Sequence, residues 1–318
     1  MTALDPFQMP AGQAGATLAA VLRARLPGHS WTQVRRLIET RHARVNGELC
    51  LDPARRLKEG ETVELLGWPA PKPRQAESIA LCHLDEHLVV VEKPSGMPTV
   101  RHPLERHWTA RRKALHPTLE DLTPPLIARA EGGRPRKGPL PRLRVVQRLD
   151  KETSGLVVFA RTVAAERGLG KQFHAHTVVR RYLAVVYGFL PPQRIDRRLV
   201  RDRGDGRRGV TDNPDEGKAA VTHVDVVERL SGYTLLSCRL ETGRTHQIRI
   251  HLASLGHPVC GDKVYGRSPD DSGAPRLALH AAELGFRHPV MRDEMHWSMP
   301  PPPDLEAFLA RLRGRHAD

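Results

Sequence analysis

Residues 143–161, LRVVQRLDKETSGLVVFAR, set a polar, charged segment between two apolar runs. Short runs rich in β-branched side chains and bounded by turn residues read as strands. The spacing predicts strands at LRVVQ and LVVFAR joined by the polar turn RLDKETSG. Other stretches belong to the same pattern. Residues 79–92 alternate around a turn, RYLAVVYGFL reads as a strand, and HVDVVERL with YTLLSCRLE form an antiparallel pair about Ser231-Gly232. Ala165, Leu169 and Phe173 mark a helical stripe, as do Leu305, Phe308, Leu309 and Leu312. A helix over 245–255 is closed by Gly256. Strands in antiparallel succession with interspersed helices indicate an α+β fold, a mixed and mainly antiparallel sheet core with flanking helices and loops.

A length of 318 residues suits about two domains. Before the sheet pattern begins, residues 1–16 read as a polar tail. Leu18, Val21 and Leu22 then recur at helical spacing up to Pro27-Gly28, and Ser30 with Gln33 forms a capping box for a second helix carrying Val34, Leu37 and Ile38. Asn46-Gly47 between β-prone residues signals a hairpin, and TVELL a further strand. Residues 17–66 are thus a small α+β unit, 67–78 a linker rich in proline and charge, and 79–318 a second domain. Residues 101–144 hold eleven Lys or Arg against four acids, with several prolines and no sustained periodicity, and read as an irregular basic loop region.

Fifty Lys and Arg against 36 acids give a formal net charge of +14, which points to a polyanionic partner, nucleic acid first. Between Thr17 and Gly47 the chain carries Arg23, Arg25, Arg35, Arg36, Arg41 and Arg44 against the single acid Glu39. No apolar run reaches the ~20 residues of a membrane span, and no basic-then-apolar leader opens the chain. Cys50, Cys82, Cys238 and Cys260 form neither a CxxC pair nor a dense framework, so they read as reduced thiols in a cytoplasmic protein. GxGxxG, Walker A, GxSxG and HExxH are absent. His174 with His176, or His246 with His251, lack a carboxylate or cysteine at ligand spacing, so no metal site is expected.

Asp150 stands in the polar turn between Arg148 and Lys151. Cations on both sides favour the carboxylate form, ready to act as nucleophile or base. Turn aspartates also serve as caps and ion-pair partners, and spacing alone leaves both roles open.

Longer context brings in two resemblances. SWTQVRRLIETRHARVNGELC followed by LKEGETVELL resembles the S4 RNA-binding domain. VVQRLDKETSGLVVFAR, with VVVEKPSGM, QFHAHTVVRRYLAVVYG, the block from GKAAVTHVDVV through GRTHQIRIHLASLGHPVCGDKVYG, and RLALHAAELGFRHP, resembles the RluA family of pseudouridine synthases over nearly all of 79–312. Those enzymes break the uracil N1–C1′ bond, turn the base and rejoin it through C5, without cofactor or metal. The resemblance implies the pseudouridine synthase fold behind an S4-like domain. It places the catalytic aspartate on Asp150, the arginine that helps open the RNA on Arg148, the base-packing tyrosine on Tyr182, and the arginine paired with the aspartate on Arg249. It implies RNA contacts at Arg35, Arg36, Arg41 and Arg44 of the first unit, and at Lys151, Arg181, Arg244, His246 and Gln247 of the second.

Gln147 stands where the family usually has histidine, and Arg181 where lysine is common. The implied partner is RNA: large-subunit ribosomal RNA first, transfer RNA as the alternative, with no obligate protein partner and no membrane. A noncatalytic RNA-binding or assembly factor is the reading from another class. The carboxylate would either attack C1′ or remove the 2′ proton, and the sequence leaves that choice open.

Overall fold

The computed structural model describes residues 4–70, 78–132 and 142–314. Two compact units emerge. Residues 1–73 with Thr109–His116 form the first, and residues 74–108 with 117–318 the second.

In the first unit, helices α1 (Leu18–Arg25) and α2 (Trp31–Glu39) pack with strands β1 (Leu4–Gln8), β2 (Ala43–Val45), β3 (Glu48–Leu49) and β4 (Thr62–Leu65). The sheet order is β1-β4-β2-β3. Ser30 caps α2 through the reciprocal box with Gln33. Asn46 and Gly47 both take positive φ at the hairpin, glycine because it has no Cβ and asparagine because its short polar side chain suits the left-handed region, its Oδ1 accepting from the Thr62 amide at 2.8 Å. Leu18, Leu22, Val34 and Ile38 are fully buried beside Val63, each contributing about 1.5–3 kcal/mol for the larger side chains.

Two expectations are corrected here. Part of the polar tail is strand β1, hydrogen-bonded to β4, because Phe7 and Leu4 pack on this core. Within the basic region 101–144, α3 (Ala110–Leu115) joins the first unit, its Arg111 donating to the Leu51 carbonyl at 2.6 Å and its Arg112 pairing with Glu48. A helix with no buried residue, held by arginines, shows no apolar period.

The second unit is built on an 11-stranded sheet. Its strands are β5 (Ala80–Leu84), β6 (Leu88–Lys93), β7 (Arg144–Val145), β8 (Ser154–Ala160), β9 (Val179–Tyr187), β10 (Gln193–Val200), β11 (Gly209–Thr211), β12 (Lys218–Leu230), β13 (Tyr233–Leu240), β14 (Leu279–Arg287) and β15 (Glu294–Ser298). The main path runs β11-β10-β12-β13-β9-β14-β8-β6-β5, with β15 on β14 and β7 on β8. Among the described strands only β14 and β8 pair in parallel. The expected α+β, mainly antiparallel architecture is present.

Every residue of β8 is buried, which explains its unbroken apolar run. One face packs into the main core through Val157 and Phe159. The other, through Leu156 and Val158, meets Ala165 and Leu169 of α5 (Val163–His174). Helix α6 (Gln247–Ser254) follows β13, and α7 (Pro303–Gly314) buries Leu305, Phe308, Leu309 and Leu312.

The basic region holds a second helix, α4 (Leu119–Ala130). A Thr118–Asp121 capping box opens it, and buried Leu119, Leu126 and Ile127 outweigh the breaking effect of Pro124 and Pro125. LRVVQ is largely irregular, since β7 keeps only two residues. Most of the expected linker, and residues 133–141 of the basic region, lie outside the described residues. No helix among those described is long and apolar enough to cross a membrane.

Candidate active site

The turn before β8 is fixed through its backbone by side chains of the 93–99 segment. Lys93, fully buried, donates its ammonium to the carbonyls of Lys151 (3.0 Å), Met97 (2.7 Å) and Pro94 (3.1 Å). Thr99 clamps Leu149 twice: its hydroxyl donates to the carbonyl at 2.8 Å and accepts from the amide at 3.0 Å. Ser95 donates to the Glu152 carbonyl at 2.6 Å. These bonds flank Asp150 and leave its carboxylate free to face the cavity.

The sheet register brings the other side of the site to this turn. Ala281 of β14 is the cross-strand neighbour of both Gly155 and Tyr182, so β14 sets the start of β8 beside β9. Gly155 has φ +118°, and a Cβ there would lie 2.2 Å from the Ala281 oxygen. Only glycine permits that approach.

A cavity of about 500 Å³ results, lined among others by Gln147, Arg148, Asp150, Tyr182, Arg244, His246 and Arg249. The side chain of Asp150 is 25% exposed, with Arg249 Nη1 at 3.5 Å and His246 Nε2 at 3.9 Å. Tyr182 is buried on β9. Burial, only partly opposed by the Arg180 charge and reinforced by Asp150, pushes its hydroxyl up to about 12, so it stays protonated at neutral pH. Arg148 is exposed at the rim.

Arg249 does not rest on Asp150 alone. Its Nε and Nη2 each donate to Asp262 at 2.7 Å, a bidentate fork buried to completion on the carboxylate side. Burial by itself would raise the Asp262 carboxyl, but the two Arg249 bonds and the amides of Tyr265 and Val264 hold it below its usual range. Burial likewise disfavours the Arg249 charge, and Asp262 with Asp150 more than restores it. The guanidinium also lies 5.0 Å from the Tyr265 ring centre. Tyr265 in turn shares a 2.9 Å hydrogen bond with His246 Nδ1. His246 adopts φ +59° at the start of α6, and burial lowers its pKa against the pull of Asp150, which favours the neutral ring.

Two residues of this site were missed in the sequence. Asp262 sits thirteen positions beyond Arg249 in GDKVYG, and nothing local marks it as its partner. Arg180 had a signal that went unused: strand alternation puts Arg180 and Tyr182 on one side and Arg181 on the other. Arg180 is buried, lines the cavity, and donates to the Glu241 carbonyl at 2.8 Å. Gly243 makes room for it, since a Cβ there would come 2.7 Å from Arg180 Nη1.

The remaining expected contacts separate into groups. Gln247 is buried with both ends of its carboxamide committed: its oxygen accepts from the Thr242 hydroxyl and the Arg244 backbone N–H, and its nitrogen donates to the Val221 carbonyl and the Thr222 hydroxyl. With all four positions used it holds α6 on β12, a correction to the expected RNA contact. Arg181 is exposed and lies 3.4 Å from Glu283. Lys151 and Arg244 are exposed, and Gln147 reaches the Leu156 carbonyl at 3.4 Å. In the first unit Arg35 and Arg36 are exposed on α2, Arg44 pairs with Glu64 at 3.5 Å, and Arg41 donates to the Ala70 carbonyl at 2.7 Å.

This arrangement offers one carboxylate, held by a buried cation, in a basic cavity with an aromatic wall. Residues 87–254 match the family model of RNA pseudouridylate synthases, and residues 17–63 match the S4 domain. The chain is 37% identical to the ribosomal large subunit pseudouridine synthase D of Nitrosomonas europaea, over 96% of its own length and 87% of that protein. It is 34% identical to the protein of the same name from Xanthomonas campestris, over 96% and 91%. The solved structure of human RNA pseudouridylate synthase domain containing 4 shares the fold, with a TM-score of 0.58 at 23% identity over 75% of this chain and 95% of that one. With the matched segment spanning Asp150, Tyr182 and Arg249 and whole-chain relatives on both sides of it, this protein belongs to the RNA pseudouridylate synthase family, and carries an S4 domain at its N-terminus.

Proposed function

We propose that this enzyme converts uridine to pseudouridine in large-subunit ribosomal RNA, with Asp150 acting at the ribose. The observation that carries this reading is the position of Asp150, anchored through the backbone on both flanks and facing Nη1 of Arg249, whose Nε and Nη2 are bonded to Asp262. The substrate class follows from the names of the relatives and from the basic first unit. Free thiols at all four cysteines suit a cytoplasmic setting.

In the reaction the N1–C1′ bond breaks and the C5–C1′ bond forms. C5 gives up its proton, and N1 ends with one, so the overall change is an isomerisation. Asp150, facing Arg249, attacks C1′ or takes the 2′ proton. Arg249 and Asp262 fix the carboxylate before substrate arrives, which spares reorganisation during the step. The target uracil leaves its stack at a cost of a few kcal/mol, and packing on Tyr182 returns about 1–3 kcal/mol. That balance favours a uridine in a hairpin loop or junction over one in a stable duplex. Arg148, at the rim, fills the gap in the strand.

Tritium release from C5-labelled uridine tests the proposal, using ribosomal and transfer RNA transcripts with wild type and Asp150→Ala. Release from ribosomal transcripts by wild type alone is the expected result. Release only from transfer RNA overturns the substrate assignment, and release by Asp150→Ala overturns the role of the aspartate.

A further inference from the structure

A second cleft, of about 730 Å³, lies between α5 and the β14–β15 hairpin. Its walls are closely built. Gly168 lets α5 approach the hairpin turn, since a Cβ there would lie 2.6 Å from the Pro289 side chain. The Gln172 amide bonds the Arg287 backbone in both directions, donating to its carbonyl at 2.7 Å and accepting from its amide at 3.0 Å. Arg287 Nε donates to the Arg292 carbonyl at 2.6 Å, which fixes the turn.

Four cations line this cleft, Arg167, Lys171, Arg287 and Arg292, against the one carboxylate Glu294. Among the described residues none of the four has an acid within 4.0 Å, so no side-chain carboxylate neutralises them. Like charges gathered in a concavity repel one another and focus a positive field that an anion relieves. Arg167 and Lys171 stand four residues apart on one face of α5. One turn further on, Phe173 and His174 line the cavity that holds Asp150. The helix therefore carries one wall of each concavity, and seven residues from Arg167 to His174 span a rise of only ~10 Å.

We propose that this cleft is a second phosphate-binding groove, which takes the sugar-phosphate backbone of the RNA strand flanking the target uridine. The proposal rests on RNA being the substrate, and it adds where the flanking strand runs. Contacts there carry no base information and act on binding and register.

The test is the triple variant Arg167→Gln, Lys171→Gln, Arg292→Asn; asparagine suits the positive φ of residue 292. Binding of a single-stranded RNA oligomer is followed against salt. The log-log slope is expected to fall by about 2, from three phosphates at ~0.7 each. On a long ribosomal transcript KM rises roughly tenfold with kcat unchanged, while a short hairpin holding only the target loop is converted as by wild type. The charge-preserving variant Arg167→Lys keeps the wild-type slope. An unchanged slope and KM in the triple variant overturns the groove, as does an equal loss of kcat on both substrates, which marks a structural effect. If wild type converts no RNA, the proposed function fails, and the salt slope still decides the groove by itself.

Discussion

Asp262 accepts two 2.7 Å hydrogen bonds from Arg249 and is itself fully buried, so the cation that faces Asp150 is positioned from behind. Of the guanidinium nitrogens, only Nη1 is left toward Asp150, at 3.5 Å. The charge is locked before any substrate arrives.

Asp262→Asn keeps the shape and removes the charge. Breaking one side of a buried pair costs about 3–5 kcal/mol, moderated here because Asp150 still faces the guanidinium. Urea unfolding should show a loss of about 3 kcal/mol, and single-turnover kcat should drop roughly 10–100-fold as Arg249 swings out of register. Wild-type turnover in a destabilised variant would separate the pair from catalysis.

Asp150→Ala should behave in the opposite sense. The carboxylate is partly exposed and its turn is held through backbone atoms, so stability should change by less than about 1 kcal/mol. Turnover should fall at least ~10⁴-fold, as for removal of a reacting group, while RNA binding and its salt dependence persist. Tritium release together with a binding titration reads both.

Tyr182 supplies a face rather than a charge, since burial holds its hydroxyl protonated up to about pH 12. Tyr182→Phe should retain binding of an RNA carrying the flipped uridine. Tyr182→Leu should weaken it by about 1–3 kcal/mol, roughly 5–150-fold, from lost stacking. Equal binding by the phenylalanine and leucine variants would remove the stacking role.

Stability should fall on mild acidification. His251 and His280 are fully buried, and burial lowers each to about 4 from an ordinary 6.5. Between those values the unfolded chain binds more protons than the native one, so stability is full above pH 6.5 and declines as pH drops toward 4. Each ring contributes on the order of 3 kcal/mol across the window. Urea midpoints from pH 7.5 to 4.5 measure the slope, and His251→Gln should flatten it.

The elements that local chemistry specifies were legible. The Ser30–Gln33 box, the Asn46-Gly47 hairpin and the stripe of Ala165 and Leu169 each depend on residues within a few positions of one another, and each appears in the structure. Helix α3 was not legible, because it is held by Arg111 and Arg112 on residues about sixty positions away instead of by an apolar face. Strand β1 was missed for a related reason: five residues with a proline read as tail until β4 supplies the hydrogen bonds.

By itself the sequence determined the polar turn that carries Asp150 with the strand β8 after it, the aromatic strand with Tyr182, and the basic first unit, because periodicity and turn residues act locally. Tertiary structure alone decided that Asp262 anchors Arg249 and that Gln247 is spent inside the core. Those outcomes depend on β14 lying between β8 and β9 and on α6 packing over β12. Charge and hydrogen-bonding capacity are written in each residue, but the partner that uses them is chosen only when distant segments close the same space.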